Sequence, residues 1–150
     1  MDAAEVHRRL VALTPFTAQS VAEGLRYIDP QVVDHRGGAG GDHHGIDAWR
    51  AKWEAMLGGE FFADFRDVGV RVEQNVADGE FSVNRYTSTG TQRSTGRSYA
   101  VTSMDMIRVR DGRVVEHWAL MDVTDRAAQL APPVSPGAGE PSRPTPLGGT

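Results

Sequence analysis

The sequence predicts an α+β fold, with a curved antiparallel sheet wrapped around N-terminal helices and an apolar cavity between the two layers. Three observations predict it. Apolar residues recur at helical spacing as far as Leu57, and from Phe61 onward the period becomes two. The later half reads as four long strands: Phe65 to Val76, Glu80 to Gly90, Arg97 to Arg110 and Arg113 to Asp122. Two of their connections, Asp78-Gly79 and Asp111-Gly112, are dipeptides that tolerate the positive φ angles of a tight hairpin turn. Helices first and a meander afterwards is the α+β layer pattern.

Taken in order, Val6, Leu10 and Leu13 share one helix face and Asp2 is placed to cap its first turn. His7, beside Arg8 and Arg9, reads as a solvated residue. Thr14-Pro15 breaks this helix, and a second one from about Phe16 to Tyr27 presents Val21 and Leu25 before Asp29-Pro30 stops it. Gln31 to His35 is a short extended piece, and a glycine-rich loop runs from Arg36 to Gly45. His35, Asp42, His43 and His44 are ligand types, but their spacing fits no zinc pattern and the adjacent histidines point apart, so no metal site is assigned. The glycines lack the order of a phosphate or dinucleotide loop.

Gly45 to Leu57 is a helix with Ile46, Trp49, Trp53 and Met56 on one stripe, ended by Gly58-Gly59. Two tryptophans on a buried face are either core or the roof of a pocket for a flat ligand. Along the second strand, Phe81, Val83 and Arg85 share one side and Asn84 and Tyr86 the other; alternation alone does not say which side faces the cavity.

The last hairpin carries the candidate chemistry. A two-residue turn at Asp111-Gly112 pairs Arg110 with Arg113, Asp105 with Trp118 and Asp122 with Val101. Val101, Ser103, Asp105, Ile107, Val109, Val114, Glu116, Trp118, Leu120 and Asp122 then share one face. A carboxylate on a mostly apolar face is the usual source of an acid or base active near neutrality. Asp105 and Asp122 would stand about 13 Å apart along the strands, able to flank a flat multi-ring ligand. The competing assignment is that Asp122 caps a helix starting at Val123, or that both carboxylates pair with arginine. In this register His117 faces away from both, with Met104, Met106 and Met121, in a structural or interface role.

Composition excludes other classes. Across 150 residues the net charge is −4, with no basic stripe for nucleic acid and no apolar run long enough for a membrane. There is no cysteine and no signal-peptide pattern at the start, so a cytoplasmic protein is expected. Residues 1–130 form one domain. Residues 131–150, rich in proline and glycine, read as a disordered tail.

Three segments, Ile28 to His35, Gly45 to Trp53 and Ile107 to Asp122, together resemble the SnoaL-like polyketide cyclases and hydroxylases of the nuclear-transport-factor-2-like superfamily. The resemblance implies a cone-shaped barrel with an apolar pocket, a homodimer, and acid/base chemistry without cofactor. In the aldol cyclases of that family an aspartate at the Asp122 position acts as acid/base, aided by a histidine on the preceding strand. Asp105 occupies the histidine's position here, which favours the hydroxylase branch acting on an anthracycline-type polycyclic aromatic substrate, with a separate reductase as partner. The expected site has Asp105 and Asp122 as catalytic groups and His35, Trp53, Arg85 and Trp118 around the substrate. Intramolecular aldol cyclisation is the alternative, then a binding protein for a flat ligand, then an epoxide hydrolase or isomerase.

Overall fold

The computed structural model describes residues 1–13, 17–35, 41–57 and 63–134. The Thr14-Pro15 break, residues 36–40 of the glycine-rich loop, the Gly58-Gly59 stop and residues 135–150 of the expected tail lie outside the described residues.

Helix α1 (Ala3–Val11) starts where Asp2 Oδ1 accepts the Glu5 N–H at 2.8 Å, as expected from the sequence. Helix α2 (Ala18–Gly24) is capped by a reciprocal Thr17–Ser20 box and runs through a 3-10 turn (Leu25–Tyr27) into strand β1 (Ile28–His35). The two-residue strand β2 (His43–His44) and helix α3 (Ile46–Leu57) follow. The meander is β3 (Phe65–Asp78), β4 (Phe81–Gln92), β5 (Ser98–Arg110) and β6 (Arg113–Met121), and α4 (Val123–Leu130) closes the described chain.

The six strands lie in the order β2-β1-β6-β5-β4-β3. Strands β3 to β6 are antiparallel, but β1 joins β6 in parallel, so the curved sheet is mixed, and its end strands β2 and β3 leave it open. The α+β expectation holds; an antiparallel sheet throughout does not. Helices α1 and α3 lie on the concave face. The core is built there from Val6 of α1, Trp49 and Trp53 of α3, Ile28 and Val32 of β1, and Ile107, Val109 and Val114 of the last hairpin. Gly24 lets α2 come against the Trp53 ring, where a Cβ would stand 2.8 Å from its carbons.

The hairpin departs from its expected register at one place. Asp111 (φ 50°) and Gly112 (φ 73°) make the two-residue turn, and Arg110 faces Arg113 and Val109 faces Val114. The next pair is Arg108 with Glu116, because the ladder shifts there by one residue, a β-bulge. Since side chains alternate, every residue of β6 beyond the bulge changes sides. Ile107 now faces His117, and Asp105 faces Ala119. The charges fit this register: Glu116 comes to the outer face, where Arg108 Nη1 donates to it at 2.8 Å.

Candidate active site

The concave face of β5 is as the sequence predicts, with Val101, Ser103, Ile107 and Val109 buried and Asp105 beside them, half-buried. Around Asp105 the fold gathers side chains from α1, β4, β6, β1 and α3. From α1, His7 stands on the helix's buried stripe with Ala3 and Val6, 1% exposed rather than solvated. Its Nε2 donates to Asp105 Oδ1 at 2.9 Å, and Ser82 Oγ lies 2.9 Å from its Nδ1. From β4, the Tyr86 hydroxyl lies 3.4 Å from His7 Nε2 and accepts from Asn84 Nδ2 at 2.9 Å; Asn84 in turn accepts from Asn75 at 2.7 Å. This chain of amides and hydroxyls satisfies polar groups that would otherwise be costly in the sheet interior.

The bulge supplies the next member. His117 Nδ1 donates to Asp34 Oδ1 at 2.8 Å, and its Nε2 stands 3.7 Å from Asp105 Oδ2, beyond hydrogen-bond range. Asp34 comes from β1, whose parallel pairing sets it opposite His117. Its second oxygen accepts from Lys52 Nζ of α3 at 2.8 Å. Lys52 Nζ also lies 3.6 Å from the centre of the Trp49 ring, and the same ring meets His117 edge-on at 5.1 Å. A continuous line therefore crosses the concave face: Lys52, Asp34, His117, Asp105, His7, Ser82.

This line borders a cavity of about 430 Å³, walled by Leu10, Trp49, Trp53, Met56 and Met121 among other residues. His7, Lys52, Tyr86, Asp105 and His117 are its chemically competent lining groups. Burial works to raise the Asp105 carboxyl, but the His117 ring beside it and the hydrogen bond from His7 outweigh it and hold it down to about 2. Burial likewise opposes ionisation of Asp34, and His117 and Lys52 overcome it, bringing that carboxyl far below the usual range. Tyr86 moves the other way: burial, then the Asp105 charge, keep its phenol protonated. Two ionised carboxylates thus flank one imidazole. With Nδ1 committed to Asp34, a neutral His117 turns its Nε2 lone pair toward Asp105 and the cavity, and a protonated one bridges both carboxylates.

Of the expected site residues, Asp105 and Trp53 reach the cavity. Asp122 does not. It lies exposed at the start of α4, where its Oδ1 accepts the Asp125 N–H at 2.8 Å as a helix cap, β6 having ended one residue before it. His35 and Trp118 are on the convex face, their rings stacked with centres 4.7 Å apart, His35 being held by Asp42 and Glu116 at 3.0 and 3.1 Å. Arg85 is exposed on that face too, since Asn84 and Tyr86 take the inner positions of β4. His7, Asp34, Lys52 and His117 were missed. Two carried a helical signal: Lys52 is three residues from Trp49 on the apolar stripe of α3, and His7 is four residues from Ala3 and three from Leu10. Nothing in the hairpin's sequence marks the bulge that exposes His117 to the cavity.

The SnoaL-like polyketide cyclase family model matches residues 4–130. No curated protein matches the chain. Among solved structures, IdmH, a putative polyketide cyclase from Streptomyces antibioticus, is 28% identical with a TM-score of 0.66, the match covering 85% of this chain and 96% of that one. A putative SnoaL-like polyketide cyclase from Jannaschia sp. CCS1 has a TM-score of 0.67 at 20% identity, covering 87% and 92%. AclR, a putative hydroxylase from Streptomyces galilaeus, has a TM-score of 0.64 at 19% identity, covering 85% and 93%. At those two identities the likeness is one of fold. The chain belongs to the SnoaL-like polyketide cyclase family.

Proposed function

We propose that this protein closes a ring in a polyketide intermediate by acid/base chemistry, with His117 moving the proton. The observation that carries the reading is the Asp34–His117–Asp105–His7 line at the wall of an apolar cavity. A carboxylate held at about 2 is poorly matched to taking a proton at neutral pH, and an imidazole is well matched. Asp105 is therefore the fixed negative charge that stabilises the imidazolium, and Asp34 fixes its tautomer.

The steps balance without an oxidant. His117 Nε2 takes a proton from the acidic carbon between two carbonyls. The enolate carbon attacks a carbonyl carbon of the same chain, forming the new carbon–carbon bond while the C=O electron pair moves onto oxygen. The alkoxide takes the proton back from His117. Trp49, Trp53 and Met56 hold the two ends of the substrate near each other, which is where most of the rate gain of an intramolecular reaction arises.

One ground for hydroxylation of an anthracycline-type aglycone was the expected lack of a histidine beside Asp105. His7 and His117 both stand beside it, so that ground no longer holds, and IdmH, described as a putative polyketide cyclase, is more similar in sequence to this chain, at 28% identity, than AclR, described as a putative hydroxylase, at 19%.

The test is product mass and oxygen uptake with a panel of linear and polycyclic polyketide precursors, with and without a reductase extract. Ring closure gives a product of unchanged mass, or one lighter by a single water, formed equally well without oxygen. A product heavier by one oxygen, with oxygen consumed, would move the chain to the hydroxylases, and tight binding without product would make it a carrier.

A further inference from the structure

We propose that Lys52 is a positioning residue of this site: it holds one oxygen of Asp34 so that the other orients His117, and its charge offsets that of Asp34 beside the imidazole. The kinetic part rests on the ring-closure reading given above.

Lysine is a rare choice for a buried helix stripe, because an unpaired ammonium there is costly. Lys52 nonetheless shares the cavity side of α3 with Trp49, Trp53 and Met56, its side chain 11% exposed and that of Asp34 5%. Its position is fixed from two sides, by the carboxylate at 2.8 Å and by the face of Trp49 at 3.6 Å. Asp34 gives one oxygen to Lys52 and the other to His117, so the lysine helps to set the direction in which the carboxylate meets the imidazole.

The charges give the second half. Facing His117 are Asp34 from β1, Asp105 from β5, His7 from α1, Tyr86 from β4, and Lys52 with Trp49 from α3. Two carboxylates beside one imidazole favour the imidazolium, and a group that never lets go of its proton is no base. The lysine ammonium, one carboxylate away, opposes that bias. It leaves the Asp34 orientation in place while cancelling much of the Asp34 charge.

The test compares the full chain with K52M, which keeps the length of the side chain and loses the charge, and K52R, which keeps both the charge and a donor. With a precursor that the wild type cyclises, K52M is expected to lose about tenfold in kcat at pH 7 and to recover most of it by about pH 9, the acidic limb of the profile moving up by about one pH unit. KM should stay within about twofold, and K52R should follow the wild-type profile. A K52M profile with unchanged limbs, or a loss equal at every pH, overturns the proposal. A second readout needs no turnover: the ring nitrogen NMR signals of His117 should keep their doubly protonated form to higher pH in K52M than in wild type, and identical behaviour in the two overturns it. If no precursor is cyclised by the wild type while those signals still move, ring closure falls and the role of Lys52 stands. Should K52M not fold, K52Q, which is also uncharged, takes its place in both arms.

Discussion

Strands β1 and β6 carry two acid–histidine contacts one residue apart, on opposite faces of the same parallel ladder. Asp34 with His117 faces the cavity, and His35 with Glu116 faces outward. The partners are of the same chemical types at 2.8 and 3.1 Å, yet their surroundings differ. The inner pair has side chains 5% and 14% exposed and is extended by Lys52 and Asp105 into a line along the cavity wall. The outer pair is 26% and 27% exposed, is shared with Arg108 and Asp42, and belongs to a charged ladder with Glu80 and Arg110. Burial, more than residue type, separates a group able to do chemistry from one that decorates a surface.

The largest expected effect breaks the comparison by activity. H117Q should lower kcat by about 10²- to 10⁴-fold, the usual worth of a positioned acid/base group. D105N should fall in the same range, since it leaves the imidazolium without its partner. H35Q, R85Q and D122N should stay within about twofold of wild type, because those side chains lie outside the cavity. Steady-state rates on one cyclised precursor decide it; a D122N enzyme as inactive as H117Q would return catalysis to the start of α4.

Stability gives the next largest contrast. D34N leaves Lys52 and His117 facing an amide in a buried place, and breaking a buried pair on one side costs about 3–5 kcal/mol. E116Q on the outer face should cost less than about 1 kcal/mol, since exposed pairs are screened. Urea midpoints at equal m-value measure both, and equal losses would mean that the two faces are not different in kind.

Much of this was legible beforehand, and the failures have one origin. The order of helices and strands, the Asp111-Gly112 turn, the inner face of β5 and the stripe of Trp49 and Trp53 follow from periodicity and turn chemistry, which are local. The faces of β6 depend on a bulge at Val114 and Val115, two residues that would each suit either side of a strand. One residue of slip sent His117 inward and Trp118 outward, exchanging one expected site residue for one that was not expected. Asp34 was invisible for a related reason: its partner is set by a parallel pairing between segments far apart in the chain, which no local pattern encodes. Asp105 was found because a lone carboxylate among Ser103, Ile107 and Val109 contradicts its surroundings, and such contradictions survive in a linear sequence.

The smallest effect separates the two faces by pH, with opposite signs. Asp105 is depressed to about 2 in the folded chain, against about 3.9 when unfolded. Its contribution is thus fully present above about pH 4 and is lost as the pH falls through about 2, amounting to about 2 kcal/mol across that window. On the outer face burial would lower His35, but its hydrogen bonds to the Glu116 and Asp42 carboxylates raise it above its ordinary value. Its contribution is present below about pH 6.5 and fades as the pH rises through the folded value. Unfolding free energies from urea melts at pH 2 to 9 should therefore show a slope below pH 4 that D105N reduces, Asp34 supplying part of the remainder, and a shallower slope of opposite sign on the alkaline side of neutrality that H35Q flattens. If H35Q instead removed the acid slope, the buried line would not be where the protein keeps its charges, and the distinction between the two faces would fail.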